Sequence, residues 1–312
     1  MLSLVIPLYK SEPNLPRLMV ELPKLQERLR PEELEVVFVV DGSPDRCREV
    51  LDRALPGFPM QTQLLSLSRN FGSFNAIAAG LKAGRGDLFA VLAADLQEPL
   101  ELVEAFARSM RADEADVCYG VREGRSDPWL SELLSNTFWR LYSRFVIPEM
   151  PPNGVDVFGC NLKVRDHLLA LPEINTNLIA LLLWLGFRRK FVPYARLARQ
   201  EGKTAWTFRK KLRYTLASIF NFTDLPIQWL LLAGLAGSGL AVGLGVAVLY
   251  AWFRGEITVP GYTPIVLTIM FFGGLTVFGL GIVGQYLWLA LQNIRRRPNF
   301  IVDSTRSFGG RR

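Results

Sequence analysis

The chain has little of what acid–base and metal enzymes most often use. It carries one histidine, His167, among 312 residues, so chemistry that needs a histidine base or a histidine-rich metal site is poorly supplied. His167 itself lies in a helical pattern, "RDHLLAL". The three cysteines, Cys47, Cys118 and Cys160, are far apart and lack metal-ligand spacing, and they read as reduced structural thiols. The opening stretch "MLSLVIPLYKSEPN" has no basic n-region and too short an apolar run for a signal peptide, so the N-terminal part is expected to stay cytoplasmic. Charge is missing altogether from two stretches, between Asp224 and Arg254 and from Ile257 to Ile294.

Those two gaps are what the composition has in abundance elsewhere: half of the residues are apolar, and the mean hydropathy of +0.20 is high for a soluble enzyme. Each gap is long enough to cross a bilayer, which takes about 20 apolar residues. Arg209-Lys210-Lys211 precedes the first and Arg295-Arg296-Arg297 follows the second, which by the positive-inside rule puts both termini in the cytoplasm. Gly239 and Gly243 in the first span permit close helix packing and hence self-association. The net charge of +7 is concentrated between Arg188 and Arg213, with ten basic residues against Glu201. Such a cluster suits nucleic acid, anionic lipid head groups or phosphorylated substrates. Its position beside a membrane span speaks against nucleic acid.

Residues 1–200 have another character. Apolar, β-rich runs "LSLVIPLY", "EVVFVVDG", "QLLSLS", "LFAVLAAD" and "DVCYGVR" alternate with helical patterns such as "NLPRLMVELPKLQERL" and "SFNAIAAGLKAG". Alternation of this kind predicts βαβ units and a mostly parallel α/β sheet. Ligands of open parallel sheets bind outside the carboxyl ends of the strands. The polar residues to inspect are therefore Tyr9 to Glu12, Asp41-Gly42-Ser43, Arg69-Asn70-Phe71-Gly72, Asp95 to Glu98, and Arg122. Two segments, 127–147 and 207–225, combine aromatics with Arg or Lys at helical spacing, as helices lying in a membrane interface do.

Asp95 follows a run that reads as a buried strand. Its carboxylate, with the Gln97 carbonyl, supplies hard oxygen ligands for Mg²⁺ or Mn²⁺; the competing role for Asp95 or Glu98-Pro99 is to start the helix "PLELVEAFARSMRA". Asp41 is equally double-edged, as a cap or as an acceptor for a base or ribose.

Taken together, these motifs resemble the family-2 glycosyltransferases of the GT-A fold, specifically the polyprenyl-phosphate glycosyltransferases that include dolichyl-phosphate mannose synthases and bacterial glucosyl-carrier enzymes with two C-terminal spans. The family's P-x-Y-N-E-type turn, D-D-G-S, S-R-N-F-G-K, D-A-D-L-Q-D-P, G-x-R turn, G-D-F-R-like segment and R-x-x-R with G-x-S-K correspond to "PLYKSE", "VDGS", "SRNFGS", "AADLQEP", "GVR", "GVDVFGCN" and "RLARQEGKTAW". The resemblance implies a GT-A (Rossmann-like) catalytic domain over 1–206 with an interface helix at about 127–147, a juxtamembrane amphipathic helix at 207–225, two transmembrane helices within 226–294, and a basic cytoplasmic tail, 295–312. It implies that Pro7, Tyr9, Glu12, Asp41, Asn70 and Gly72 line the nucleotide-sugar pocket, that Asp95 and Gln97 hold the metal, that Asp156 lies with Asp95 at the transfer centre, and that Arg122, Arg196 and Arg199 meet phosphate. Arginine suits the last task because its planar fork bonds phosphate oxygens in pairs.

The implied reaction is an inverting transfer of a sugar, UDP-glucose being the first donor by family analogy, to a polyprenyl (undecaprenyl) phosphate at a bacterial inner membrane. A phosphate monoester has its second pKa near 6, so the nucleophile is already largely anionic and needs no strong base. Three departures stand out: Ala93 replaces the first Asp of D-A-D, Val40 the first Asp of D-D-G-S, and Ala205 the membrane-proximal Lys. The first two remove carboxylates from the expected donor site and predict weak metal binding without nucleotide, with Glu98 as a compensating carboxylate. Two rival readings share parts of the pattern. A processive polysaccharide synthase usually shows Q-x-x-R-W, which none of the seven Trp follows; a non-catalytic membrane scaffold on a decayed transferase domain is suggested by Val40 and Ala93.

Overall fold

The computed structural model describes residues 1–123, 148–151, 154–171, 177–197, 225–254, 261–295 and 297–309. It divides into two units, Met1–Tyr214 with Pro298–Arg312, and Thr215–Arg297. The segment 127–147, most of 207–225, and Arg199 lie outside the described residues.

The first unit is built on an eight-stranded sheet in the order β7-β5-β6-β4-β1-β2-β3-β8. Its strands are β1 (Leu2–Leu8), β2 (Leu34–Val40), β3 (Gln61–Leu67), β4 (Leu88–Val91), β5 (Val117–Arg122), β6 (Val157–Asn161), β7 (Arg189–Tyr194) and β8 (Val302–Phe308). Strands β3, β2, β1 and β4 run parallel, β7 runs parallel to β5, and β6 and β8 run opposite to their neighbours. The fold is thus built on a mostly parallel but mixed sheet. Strand β2 is buried along its whole length and β1 at every position except Pro7, as expected of central strands covered on both faces.

The helices follow from their apolar spacing. α1 (Leu15–Leu29) buries Leu15, Leu18, Leu22, Leu25 and Leu29 along one stripe. α2 (Cys47–Ala54), α3 (Ser73–Ala83) and α4 (Leu100–Arg111) follow β2, β3 and the β4 loop. α5 (Leu162–Ala170) holds His167, whose ring Nδ1 meets the Lys163 carbonyl on an exposed face; α6 (Leu178–Trp184) is almost wholly buried. The three cysteines are free and buried, and burial pushes each thiol up to about 12, in keeping with the structural reading.

Two expectations need correction here. β4 ends at Val91 rather than running on to Asp95. Residues 302–308, expected within a basic tail, form β8, paired antiparallel with β3. Its seat is polar: Arg306 donates to Asp52 at 2.9 Å and Arg48 to Ser304 Oγ at 3.0 Å.

The second unit contains α7 (Leu225–Phe253) and α8 (Tyr262–Ile294), which coincide with the two uncharged gaps. Among the described residues one stretch, Phe271–Leu291, is long and apolar enough to cross a membrane, with hydropathy 1.6 and 6% of it buried.

Candidate active site

The carboxyl ends of β1, β2 and β3 are tied together by carboxylates. After β1, Lys10 adopts a left-handed φ of 54° and donates its N–H to Ser43 Oγ at 2.7 Å. Ser43 in turn donates to Asp45 Oδ1 at 2.6 Å, and the Glu12 N–H donates to Asp45 Oδ2 at 2.9 Å. Asp45 therefore locks the β1 loop to the β2 loop. The Glu12 carboxylate accepts from the backbone N–H, Nε and Nη2 of Arg46 at 3.0, 3.1 and 2.9 Å. Pro7 lies in β1 opposite Val39, and the half-exposed Tyr9 ring has the Lys10 ammonium 5.7 Å from its centroid.

Asp41, 2% exposed, directs both carboxylate oxygens at the next loop, accepting the N–H groups of Phe71 at 2.7 Å and Gly72 at 2.9 Å. Burial raises its carboxyl, and the two amides pull the other way. Asn70 Nδ2 donates to the Asp41 carbonyl at 3.3 Å. Gly42 (φ +54°) leaves no room for a side chain, since a Cβ there would lie 2.3 Å from the Arg69 carbonyl carbon. The residues expected to line the nucleotide pocket thus form one connected layer, in which Asp41 shapes the 69–72 turn.

The stretch after β4 contains the strongest backbone signal. Leu92 makes the last ladder bond, to the Val5 carbonyl at 3.1 Å, and the chain then turns, with Leu96 N–H donating to Ala93 O at 3.2 Å. Leu96, 4% exposed, has φ of 49°; a leucine in this region is uncommon and costs about 1–3 kcal/mol. The turn presents Asp95 and Gln97 on either side of that leucine. Glu98 follows, 3% exposed, its carboxyl pushed up to about 7 by burial first and then by the charges of Asp156 and Asp95. Its Oε2 meets no hydrogen-bond donor among the described residues.

Because β6 runs opposite to β4 and β5, the residue preceding it, Asp156, lies at the same end of the sheet as the ends of the parallel strands. Arg122, the last residue of β5, pairs with it: Nε with Oδ2, and Nη2 with Oδ1 at 2.7 Å. The Tyr194 hydroxyl at the end of β7 donates to Asp156 Oδ2 at 2.6 Å. Two residues on, Arg196 Nη2 donates to Gln97 Oε1 at 2.6 Å, while Leu197 N–H reaches the Gln97 carbonyl at 2.9 Å and Gln97 Nε2 the Leu197 carbonyl at 3.4 Å.

Asp95, Gln97, Glu98, Asp156, Arg122 and Arg196 are therefore neighbours at one end of the sheet. Arg122, expected at phosphate, is committed to Asp156, and Arg196 to Gln97. Sequence reasoning missed Asp45 and Tyr194. Asp45 lies two residues past the Asp41-Gly42-Ser43 turn, where its type and spacing mark no role, and Tyr194 closes an ordinary β-rich run with nothing to distinguish it.

Comparison with known proteins identifies the family. Residues 3–168 match the Glycosyl transferase family 2 model. Over 306 residues the chain is 30% identical to an uncharacterized glycosyltransferase of Synechocystis sp., covering 97% of this chain and 94% of that protein. It is 28% identical over 305 residues to the SfII prophage-derived bactoprenol glucosyl transferase of Shigella flexneri, covering 97% and 98%. A crystal structure of glucosyl-3-phosphoglycerate synthase from Mycobacterium tuberculosis superposes with a TM-score of 0.47 and 15% identity, over 70% of this chain and 77% of that one. With that family model matching more than half of the chain, and a relative 30% identical over nearly its whole length, the chain belongs to glycosyl transferase family 2 and is a glycosyltransferase.

Proposed function

We propose that the protein transfers a sugar from a nucleoside-diphosphate donor, UDP-glucose in the first instance, to a polyprenyl phosphate at the surface of a membrane. The observation that carries this reading is the grouping of Asp95, Gln97, Glu98 and Asp156 with Arg122 and Arg196 where the parallel strands end. A relative named for bactoprenol glucosyl transfer, matched over nearly its whole length, supports the acceptor.

A divalent cation fits these residues. Carboxylate and amide oxygens are hard donors, and the buried Glu98 Oε2 has no hydrogen bond among the described residues to compete for it. Among the described residues no three Asp, Glu, His or Cys side chains are grouped to hold a metal. The protein would supply Asp95, Gln97 and Glu98, and the donor diphosphate the rest, as is usual for Mg²⁺. Once bound, the cation would neutralise charge on the departing diphosphate.

The rest falls to the chain. The layer held by Asp41 and Asp45 shapes the seat for the nucleotide, with Pro7, Tyr9, Glu12, Asn70 and Gly72 around it. A phosphate oxygen of the lipid attacks the anomeric carbon, the bond from that carbon to the diphosphate breaks, and the nucleoside diphosphate leaves with the electron pair, inverting the centre. The phosphate arrives already anionic, so no base is required. Asp156, held by Arg122 and Tyr194, acts electrostatically on the positive charge that develops on the sugar ring.

Two features favour anchorage by two spans. α8 contains an apolar stretch of spanning length. β8 belongs to the sheet of residues 1–214 and is reached only through Thr215–Arg297, so both ends of that segment lie on one side of any membrane and the number of crossings is even. Two crossings, by α7 and α8, satisfy both, and the basic residues that flank them favour a cytoplasmic catalytic unit by the positive-inside rule. Incubating membranes that contain the protein with a panel of nucleotide sugars and undecaprenyl phosphate, then analysing lipids by mass spectrometry, tests the reading. A glycosylated polyprenyl phosphate is expected; no glycolipid from any donor would overturn it.

A further inference from the structure

Asp156 is gripped from two neighbouring strands. β5 lies between β7 and β6, with Arg122 in register with Tyr194 and Gly120 in register with Val157, the residue after Asp156. Arg122 supplies two guanidinium N–H groups, one to each carboxylate oxygen, and Tyr194 adds its hydroxyl to Oδ2 at 2.6 Å. Among the described residues Oδ2 then has both lone pairs occupied and Oδ1 one of two, so these partners leave the carboxylate one direction for a further positive partner. An arginine fork alone fixes the plane of the carboxylate. The phenol fixes which oxygen remains open. Tyr194 is 5% exposed, and its backbone carbonyl accepts the Glu123 N–H at 2.8 Å, so its hydroxyl is delivered from a rigid strand end. Its ring edge packs beside Gly120, where an added Cβ would lie 3.3 Å from Tyr194 Cε1.

We propose that Tyr194 is a positioning residue for sugar transfer, its hydroxyl turning the open lone pair of Asp156 toward the anomeric carbon. This rests on the transfer reaction proposed above. Nothing in the sequence marks Tyr194 for the task, and the aromatic ring by itself would fill the same space.

The test uses the full-length chain in lipid nanodiscs, with undecaprenyl phosphate and the donor that the wild type turns over. Tyr194→Phe keeps the ring and removes the hydroxyl. It is expected to lower kcat about 10- to 100-fold, which corresponds to the full worth of a hydrogen bond to a charged group, with the donor KM unchanged. Asp156→Asn should lower kcat as well, and the double variant should be no slower than Asp156→Asn alone, because the hydroxyl acts through that carboxylate. Replacing Tyr194 by 3-fluorotyrosine, which keeps a hydroxyl able to donate, should restore the rate at neutral pH, since burial first and the Asp156 charge next hold the phenol well above its usual range and keep it protonated. A Tyr194→Phe enzyme at full kcat, additive losses in the double variant, or a fluorotyrosine enzyme as slow as Tyr194→Phe would overturn the proposal. An inert wild type would overturn it together with the transfer reaction, whereas an active wild type with any of the three results above overturns the positioning role alone.

Discussion

Arg196 donates to Gln97 Oε1 at 2.6 Å, which puts the side chain expected to meet phosphate on the amide oxygen expected to meet the cation. Leu197 holds the Gln97 backbone from the same segment. The end of β7 therefore fastens the β4 loop with Arg196–Leu197 and Asp156 with Tyr194. Moving from an amide to a phosphate would exchange a neutral acceptor for a charged one that the guanidinium fork can bond through two oxygens. Arg196→Ala is expected to raise the acceptor KM about 10- to 100-fold and leave nucleotide-sugar affinity near that of the unaltered protein. Steady-state kinetics with calorimetric donor binding checks this; an unchanged acceptor KM would remove Arg196 from the acceptor site.

At the other end of the sheet, Glu35 is 1% exposed and accepts from Ser3 Oγ, Gln63 Nε2 and the Arg85 N–H, each at 2.8 Å. Glu35→Ala would strand these donors in the core and is expected to cost about 2–3 kcal/mol of stability, with kcat unchanged because the site lies where the strands end. Thermal melting and turnover of the same preparation separate the two effects.

Glu98 gives the stability a pH dependence. Its carboxyl is raised from 4.5 to about 7 in the folded chain, by burial first and by Asp156 and Asp95 next. The native state therefore binds more protons than the unfolded state between these values, so the stabilising contribution is full below about 4.5 and is lost as pH rises through about 7. Glu98→Gln is expected to flatten the melting temperature over that window in the absence of nucleotide. A parallel slope in the variant would assign the dependence to another group.

The proposed pair of spans has a labelling consequence. A cysteine at Gly255, in the connection between α7 and α8, should react with an impermeant maleimide added outside intact cells, and one at Ser307 in β8 should react only after lysis. The three native cysteines are buried and add little background. Labelling of both positions from outside, or of neither, would contradict two spans.

The parallel half of the sheet was legible because its strands are continuous apolar runs, a pattern that burial on both faces enforces. α1 showed itself through leucines at helical spacing. β8 was hidden, since "VDSTRSF" is a polar edge strand whose partner is about 240 residues away, and no local pattern encodes such a pairing. The end of β4 was misjudged because "LAAD" is as apolar as the strand before it, yet the left-handed Leu96 shows that this stretch already belongs to the turn. Asp95, Gln97 and Asp156 were legible by motif. Their hydrogen-bond partners were not: that Arg122 faces Asp156 and that Asp41 serves the 69–72 turn depend on strand order and loop geometry, which spacing does not carry.

The central claim is that the β4 loop, through Asp95, supports transfer of a sugar to a lipid phosphate. Its most direct test compares wild type and Asp95→Asn, reconstituted at equal amounts and equal melting temperature, for the initial rate of sugar-labelled polyprenyl phosphate formation. The account predicts a readily measured rate for the wild type and a loss of at least about 10²–10³-fold in the variant, the scale seen when one preorganised electrostatic group is removed from a transfer site. An Asp95→Asn enzyme that forms the lipid product at the wild-type rate would contradict it.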